Sequence, residues 1–260
     1  MTDFTLPTEK IEAETTDPSN LIIFSKYKVG KSSLIADLPG CLLLDLEKGS
    51  AFLDAVKLQA NSVDDIKAIG KKIREATEAN KGVSPYKFIA VDTVTALEEM
   101  CVSYAEDLYS RSSMGVNWYL DDPVRGGKKK YRSILNLPDG AGYKWLREAF
   151  TNVLNHIKTW APHTIFLGHV KDINVQKAGS EFSSLDLDLT GKLKQITCSK
   201  SDAIGYMYRK GNTNILSFKT SDDITCGARP EHLKNKEIVI SEVDEDGKLT
   251  THWNKVFINN

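Results

Sequence analysis

The stretch "LIIFSKYKVGKSSLIADL" at residues 21–38 joins an apolar run to a helical pattern through a short polar loop. "LIIF" predicts a buried strand, and the residues from "GKSS" onward predict a helix that ends before Pro39. The loop between them fits the phosphate-binding pattern G-x-x-x-x-G-K-[ST] except at its first position, where Ser25 replaces glycine. Gly30 is kept at the point where the backbone must pass closest to a phosphate. The stretch therefore predicts a strand–loop–helix unit with a modified phosphate-binding loop.

Such a loop binds phosphate through backbone N–H groups at the helix N-terminus. Lys31 is expected to reach the β- and γ-phosphates and to face solvent when the site is empty, and the Ser32 hydroxyl is expected to hold Mg²⁺. A chance strand–turn–helix with a solvated lysine is the alternative. ATP and Mg²⁺ are the predicted ligands, and the predicted nucleotide loop consists of Ser25, Lys26, Tyr27, Lys28, Val29, Gly30, Lys31, Ser32 and Ser33.

The composition is that of an ordinary globular chain of 260 residues, with 41% hydrophobic and 27% charged residues. A formal net charge of -1 excludes a strong overall basic field, so any contact with nucleic acid has to be local. The four cysteines are far apart and form no C-x-x-C pair, which is typical of reduced thiols in a cytoplasmic protein. The polar, acidic N-terminus does not resemble a signal peptide, and no run reaches transmembrane length.

The remaining pattern predicts an α/β fold of one domain. Three further apolar runs, "CLLLDL", "YKFIAVD" and "TIFLGHV", alternate with helical patterns and predict a mostly parallel sheet covered on both faces. Turn signals at Gly211-Asn212 and Asp246-Gly247 predict C-terminal antiparallel hairpins. The predicted segments are a flexible leader at 1–20, one domain at 21–260, helical patterns at 50–79, 95–110 and 141–160, and irregular loops at 111–140 and 171–189.

Acidic residues follow two of the predicted strands. "FIAVD" delivers Asp92 to the carboxyl end of its strand, where a second Mg²⁺ ligand belongs in enzymes with a phosphate-binding loop. The next residue is Thr93 rather than a second acid. Asp45 and Glu47 follow the second strand, and if the first two strands lie close together, Glu47 can orient a water molecule over the γ-phosphate. A surface glutamate after a strand is an equally open interpretation, and Asp45 is the next candidate for the base.

The order of these motifs resembles the core of RecA-type recombinase ATPases. The resemblance implies that Glu47 is the catalytic base and that His169, which ends the "FLGH" strand, senses the γ-phosphate. Within this group the chain more closely resembles the compact bacteriophage nucleotide-binding proteins linked to single-strand annealing and recombination, over roughly residues 20–240. The segments that carry this similarity are "VDTVTALEE", "LPDGAGYKWLREAF", "GHVKD", "LTGKLKQI" and "SDAIGYMYRK".

The resemblance implies a cytoplasmic, phage-encoded protein that binds single-stranded DNA as a ring or filament of identical subunits. It also makes a single-strand-binding protein a plausible partner. Clustered cations on a glycine-rich loop suit phosphates, and neighbouring aromatic residues can stack on unpaired bases. A solvated loop and core aromatics are the alternative interpretations. The predicted DNA contacts are Arg125, Lys128, Lys129, Lys130 and Arg132 in the first irregular loop, with Trp118, Tyr119 and Tyr131 nearby, and Lys171 in the second.

A cation that completes the site from a neighbouring subunit is also implied by the resemblance. Lys219 and Arg229 occupy the corresponding segment, with solvated charges at strand ends as the alternative. Three other functions stay open from the sequence: a helicase or helicase loader, a small-molecule kinase that uses Arg125 and Arg132, and a non-catalytic scaffold gated by nucleotide.

Overall fold

The computed structural model of the protein describes residues 6, 8–10, 12, 16–116, 118–120, 128–129, 132–177, 180–221 and 223–259. Its strands are β1 (Asn20–Ser25), β2 (Cys41–Asp45), β3 (Lys57–Gln59), β4 (Phe88–Asp92), β5 (Tyr119–Leu120), β6 (Lys128–Lys129), β7 (His163–Lys177), β8 (Ser180–Leu187), β9 (Ala203–Lys210), β10 (Thr213–Ser217), β11 (Gly227–Ala228), β12 (Glu237–Val243) and β13 (Leu249–Thr251). Its α-helices are α1 (Lys31–Ala36), α2 (Val63–Ala79), α3 (Val94–Ser110), α4 (Ala141–Ile157) and α5 (Lys192–Ser199). Short 3₁₀ helices cover Ser50–Phe52, Ser113–Gly115, Ile134–Asn136, Pro138–Gly140 and Trp253–Lys255.

Within the described residues, eleven strands form one sheet with β1 in its interior. The order is β13-β12-β10-β9-β1-β7-β4-β2-β3, with β11 paired to β9 and β8 paired to β7. The strands from β9 to β3 are parallel along this path, whereas β10, β12 and β13 extend the sheet in antiparallel fashion. This confirms the predicted α/β fold with a mostly parallel sheet and C-terminal hairpins.

β1 shows why the sheet is covered on both faces. Its residues from Leu21 to Ser25 are fully buried, so the strand reads as a continuous apolar run rather than an alternation. Ile22 and Phe24 belong to the core cluster that contains residues of α2, α3 and α4. Leu21 and Ile23 belong to the opposite cluster, which is built from α1 and the C-terminal segment. The domain therefore has three layers, with helices on one face and α1 plus the chain end on the other.

The C-terminal segment holds the short helix α1 in place. The indole N–H of Trp253 donates a hydrogen bond of 3.0 Å to the carbonyl of Leu34, one of the helix carbonyls near the end of α1. Asp17, near the end of the predicted leader, accepts hydrogen bonds from the backbone N–H groups of Ile258 and Asn259. The loosely held leader therefore does not extend to Asp17.

Two predicted segments differ from the structure. The stretch at 171–189 is mainly the paired arm of a hairpin rather than an irregular loop, because β7 continues past the sheet and β8 returns along it. The mixed polar and apolar sequence of this stretch lacks the continuous apolar run by which a buried strand is identified. The predicted helical region at 50–79 is helical as α2 only from Val63, and the edge strand β3 precedes it.

No helix in the described part of the chain is both long enough and apolar enough to cross a membrane.

The packing around β9 leads to a stability prediction. A Cβ atom added at Gly205 would lie 2.5 Å from Cδ1 of Leu216 and 3.1 Å from a ring carbon of Phe218, both fully buried. We expect Gly205→Ala to lower the free energy of unfolding by about 1–3 kcal/mol through overpacking. Urea denaturation measures this change.

Gly49→Ala is the matched control for that substitution. No atom lies within 4 Å of the position of its added Cβ, and its φ of -84° suits any residue. We expect its stability to be unchanged or slightly increased. Equal stability of Gly205→Ala and the wild type would contradict the close packing of β9 against β10.

Candidate nucleotide-binding site

The site is built by the carboxyl ends of four adjacent parallel strands. In register, Ser25 at the end of β1 pairs with His169 on β7, and Asp92 at the end of β4 pairs with Asp45 at the end of β2. Asp92 also pairs with Leu167, two residues before His169. Because the strands run in the same direction, these polar side chains meet at one edge of the sheet, where ligands bind in open α/β folds.

The predicted phosphate-binding loop lies at this edge. It leaves β1 after Ser25 and enters α1 at Gly30, whose φ of 107° lies in the region that favours glycine. The N–H of Leu34 donates to the carbonyl of Gly30 at 3.0 Å and closes the first helical turn. Lys26, Tyr27 and Lys28 are exposed, and Val29, Ser32 and Ser33 are half-buried. A cleft of about 320 Å³ opens beside the loop and is also lined by Glu47, Asp92 and His169.

Lys31 is buried in this structure, so the expectation of a solvent-facing side chain is wrong. Its ammonium donates a hydrogen bond of 3.0 Å to the Ser25 hydroxyl, and the residue is only 6% exposed. Burial holds the pKa of Lys31 below its usual value, against the attraction of the Asp92 and Glu47 carboxylates. Ser25, at the position of the missing glycine, thus supplies an oxygen that accepts from the loop lysine.

Ser32 and Asp92 present the oxygens predicted to bind Mg²⁺. The Ser32 hydroxyl donates to Oδ2 of Asp92 at 2.5 Å across the start of α1 and the end of β4. Burial raises the pKa of Asp92, and the Glu47 carboxylate adds to this shift, while the Ser32 hydrogen bond opposes it. A hydroxyl and a buried carboxylate are oxygen ligands of the kind Mg²⁺ prefers, so the residues fit the ion. No three His, Cys, Asp or Glu side chains of the described residues converge on an ion site, so phosphates and water would supply the other ligands.

Glu47 reaches the cleft by a different route from the one expected. β1 and β2 are not neighbours, because β7 and β4 lie between them. Glu47 nevertheless stands in the cleft, because β2 is the next strand to β4 and its following loop turns over the edge of the sheet. Oε1 of Glu47 accepts a hydrogen bond of 2.6 Å from the Thr93 hydroxyl and lies 3.2 Å from Nε2 of His169.

The pKa of Glu47 is lowered chiefly by its hydrogen bond with His169. The Thr93 hydrogen bond and the Lys31 charge act in the same direction, and burial acts against them. Glu47 is therefore an ionised carboxylate near neutral pH, the protonation state that a base requires.

Asp45 organises the loop that carries Glu47 and is poorly suited to act as a base. Its carboxylate accepts hydrogen bonds from the backbone N–H groups of Glu47, Gly49 and Ser50 and from the Ser50 hydroxyl. Burial raises the pKa of Asp45, but these hydrogen bonds outweigh it and leave the pKa below its usual value. Both carboxylate oxygens of Asp45 accept hydrogen bonds and the side chain is buried. Asp45, the second candidate for the base, is therefore a structural residue.

His169 lies between the loop and Glu47. It is only 9% exposed, and its ring faces the exposed Tyr27 ring at a centroid distance of 4.2 Å. Its Nδ1 is buried without a hydrogen-bond partner among the described residues. Its backbone carbonyl accepts from the N–H of Asp188, just past the end of β8. His169 therefore connects the cleft to the base of the β7–β8 hairpin.

Only part of the predicted DNA-binding set lies in the described residues. Arg125, Lys130 and Tyr131 lie outside them, and Lys128, Lys129 and Tyr119 are described only as backbone of the small β5–β6 pair. Arg132 is exposed, and Lys171 lies 3.6 Å from a carboxylate oxygen of Asp188. Trp118 is 2% exposed and packs edge-on against Tyr109, so the stacking role is wrong for this residue.

Lys219 and Arg229 do not line the cleft in the described chain. Lys219 donates to Glu237 at 2.8 Å, and Arg229 donates to Asp202 at 3.2 Å and to the carbonyl of Ser199. Their side chains are 53% and 65% exposed, so both are surface ion pairs within one subunit. Their action on a neighbouring subunit stays a prediction.

The sequence analysis did not predict a second cleft, of about 350 Å³. It lies where α4 and α5 begin and is lined by Tyr143, Arg147, Thr190 and Lys192. Neither helix has a side-chain cap, since Gly140 and Gly191 hold the cap positions. Among the described residues, Arg147 and Lys192 have no ion-pair partner. Gly140 and Gly191, which follow the two predicted irregular stretches, were the sequence features that could have indicated this cleft. Their proximity follows only from the fold.

A larger cleft of about 410 Å³ lies between α2 and α3, and it has no unpaired cations of this kind among the described residues. Its cations are matched on their own helices, since Lys67 pairs with Asp64 and Arg111 pairs with Asp107. We therefore assign the candidate chemistry to the edge of the sheet beside the loop.

A comparison with protein families supports this assignment. The model of the AAA domain family matches residues 17–230, which include the whole parallel sheet and the cleft. No curated protein is significantly similar to the chain. The match covers most of the chain and includes the predicted phosphate-binding loop. The chain belongs to the AAA domain family of P-loop ATPase domains.

Proposed function

We propose that this protein hydrolyses ATP with Mg²⁺, binds single-stranded DNA, and promotes strand annealing or exchange in phage recombination within the host cytoplasm. The observation that carries the ATPase part is the meeting of Lys31, Glu47 and His169 in one cleft beside a phosphate-binding loop. The DNA part rests on the resemblance to phage recombination proteins, and the cleft at the starts of α4 and α5 supports it.

In the proposed reaction, the amides of residues 26–33 and the Lys31 ammonium bind the phosphates. Lys31 leaves the Ser25 hydroxyl to do so, and the phosphate charge offsets the desolvation that lowers the pKa of Lys31. Ser32 and Asp92 would hold Mg²⁺, which neutralises charge on the phosphates during transfer. Glu47 orients and deprotonates the attacking water. His169, which contacts Glu47, would bind the γ-phosphate.

The cleft at the starts of α4 and α5 suits a DNA phosphate. Two helix N-termini without a side-chain cap bring the positive ends of two helix dipoles to this cleft. One N–H at each start, that of Ala141 and that of Leu193, already donates to a backbone carbonyl. Arg147 and Lys192 add two cations, and Tyr143 is exposed at 39% beside them. Such a surface binds a backbone without reading sequence, as expected of a factor that must act on any strand.

The cleft is also connected to the nucleotide site. Thr190, which lines it, donates its N–H to Glu98 of α3, the helix that follows Asp92. Two residues earlier, Asp188 donates to the carbonyl of His169, and its own carbonyl accepts from Thr95. Single-stranded DNA bound at this cleft would therefore contact the segment at 188–190, which is hydrogen-bonded to His169.

We also propose that the subunits assemble, with a cation of one subunit completing the site of the next. A phosphoryl-transfer transition state gains from an added cation, and among the described residues Lys31 is the only lysine or arginine that is both buried and part of the cleft. Lys219 and Arg229 are exposed and sit in weak surface pairs, so both can exchange partners. A single-strand-binding protein remains the proposed partner by resemblance.

The first test of the proposal separates an ATPase from a nucleotide-gated scaffold. Glu47→Gln keeps the shape of the side chain and removes the base, so ATP should still bind while turnover falls by about 10²-fold or more. Release of inorganic phosphate and binding of a fluorescent ATP analogue measure the two properties. Asp64→Asn, an exposed acid on α2, serves as the control with the same charge change. Wild-type turnover in Glu47→Gln would show that the base lies elsewhere.

A second test concerns DNA. Removing both cations of the cleft, as Arg147→Ala with Lys192→Ala, should weaken binding of single-stranded DNA. It should also flatten the salt dependence by about one unit of log–log slope for each phosphate that is no longer neutralised. The Lys72→Ala and Lys234→Ala pair removes the same charge from exposed positions elsewhere. Fluorescence anisotropy at several salt concentrations measures both. If the two double variants behave alike, the cleft is not part of the DNA interface.

A further inference from the structure

Thr93 lies beside the nucleotide cleft, and no motif of the sequence assigns a role to its side chain. It follows Asp92 directly, at the position where a second acid is absent, and it is fully buried between β4 and α3. Its hydroxyl accepts from the N–H of Ala96 at 3.3 Å and so caps α3. The same hydroxyl donates to Oε1 of Glu47 at 2.6 Å. One buried oxygen thus links the start of a helix to the proposed base.

The two contacts of Glu47 fall on one oxygen. Both Thr93 and His169 bond to Oε1, whereas Oε2 has no hydrogen-bond partner among the described residues. The Glu47 side chain is 38% exposed and lines the cleft. A carboxylate that is anchored by one oxygen keeps the other in a fixed direction, which is what a water-activating base needs.

The two anchors differ in how permanent they are. In the proposed reaction His169 binds the γ-phosphate, and its contact with Glu47 is the longer of the two at 3.2 Å. Thr93 cannot follow the nucleotide, because its backbone is fixed between a sheet strand and a capped helix. The Thr93 contact is therefore the one that persists through the reaction.

We infer that Thr93 is a positioning residue for ATP hydrolysis, whose hydroxyl anchors Oε1 of Glu47 so that Oε2 faces the attacking water. The inference rests on the proposed function, since it needs Glu47 to be the base. It predicts that removal of the hydroxyl slows the chemical step and leaves nucleotide binding unchanged.

The test compares Thr93→Val, Thr93→Ala and Thr93→Ser in the full chain. Val and Ala should lower kcat by about 10-fold to 100-fold, the factor expected for one hydrogen bond to a charged group, with KM for ATP nearly unchanged. Ser keeps the hydroxyl and should restore kcat. Using both Val and Ala keeps the test valid if one of them folds poorly, because turnover is counted per site that binds the ATP analogue.

Removal of the helix cap is controlled separately. Ser62 caps α2 by accepting from the N–H of Asp65 at 3.1 Å, and it lies outside the nucleotide cleft. Ser62→Ala should reduce stability, as the Thr93 variants should, yet keep its kcat. The concentration of Mg²⁺ that gives half-maximal turnover should also stay the same in Thr93→Val, since Asp92 is not altered.

A double variant separates this inference from the proposed function. The residual turnover of Glu47→Gln, lowered by about 10²-fold, should not decrease further when Thr93→Val is added, because the two residues act as one unit. Wild-type kcat in Thr93→Val, failure of Ser to restore it, or an effect seen only in KM or in the Mg²⁺ requirement would overturn the inference while Glu47 stays the base. An active Glu47→Gln would instead overturn the proposed function.

Discussion

Parallel pairing of β2, β4, β7 and β1 is the constraint on which the rest of the structure depends. It aligns the carboxyl ends of four strands, so that Ser25, Asp45, Asp92 and His169 meet at one edge although they are far apart in the sequence. The pairing requires both faces of the sheet to be covered, because the strands are apolar on both sides. The helices on one face and the C-terminal segment on the other provide that cover.

The chemistry of the edge follows from the burial of charged groups. Burial lowers the pKa of Lys31 and raises that of Asp92, so each group is held in a medium that disfavours its charge. A nucleotide phosphate beside Lys31 and a cation beside Asp92 would each relieve this cost. The Ser25 hydroxyl accepts from Lys31, and the Ser32 hydroxyl donates to Asp92. A phosphate could replace the first partner and a cation the second. The departure from the glycine pattern at Ser25 therefore has a physical role, because its hydroxyl accepts from the loop lysine.

Much of this site was predictable from the sequence because strand ends are easy to recognise. The apolar runs before Ser25, Asp45, Asp92 and His169 identify the strands and the edge to which they deliver polar residues. The sequence could not provide the strand order, which separates β1 from β2. It also could not provide the hydrogen bonds that make Asp45 a structural residue.

The roles of individual side chains depend on contacts that no periodicity encodes. The burial of Lys31, the packing of Trp118 in the core and the contact of Thr93 with Glu47 are all of this kind. The β7–β8 hairpin was not predicted because its sequence is largely polar. Its two strands satisfy their backbone hydrogen bonds by pairing with each other, which leaves no mark on the sequence pattern. Hydrophobic patterning identifies which strands are buried, and it carries little information on those that leave the sheet.

The measurement that tests the central claim most directly is the thermal stability of the wild type and of Lys31→Met with and without Mg²⁺-ATP. Ligand at about 100 times its Kd should stabilise the wild type by about 2.7 kcal/mol, a rise in Tm of roughly 5–10 °C for a chain of this size. Lys31→Met removes a buried charge and retains the apolar stem, so we predict a Tm without ligand at or above that of the wild type and no rise with Mg²⁺-ATP. A wild-type rise in Lys31→Met, or no rise in the wild type, would contradict the assignment of this cleft as the nucleotide site.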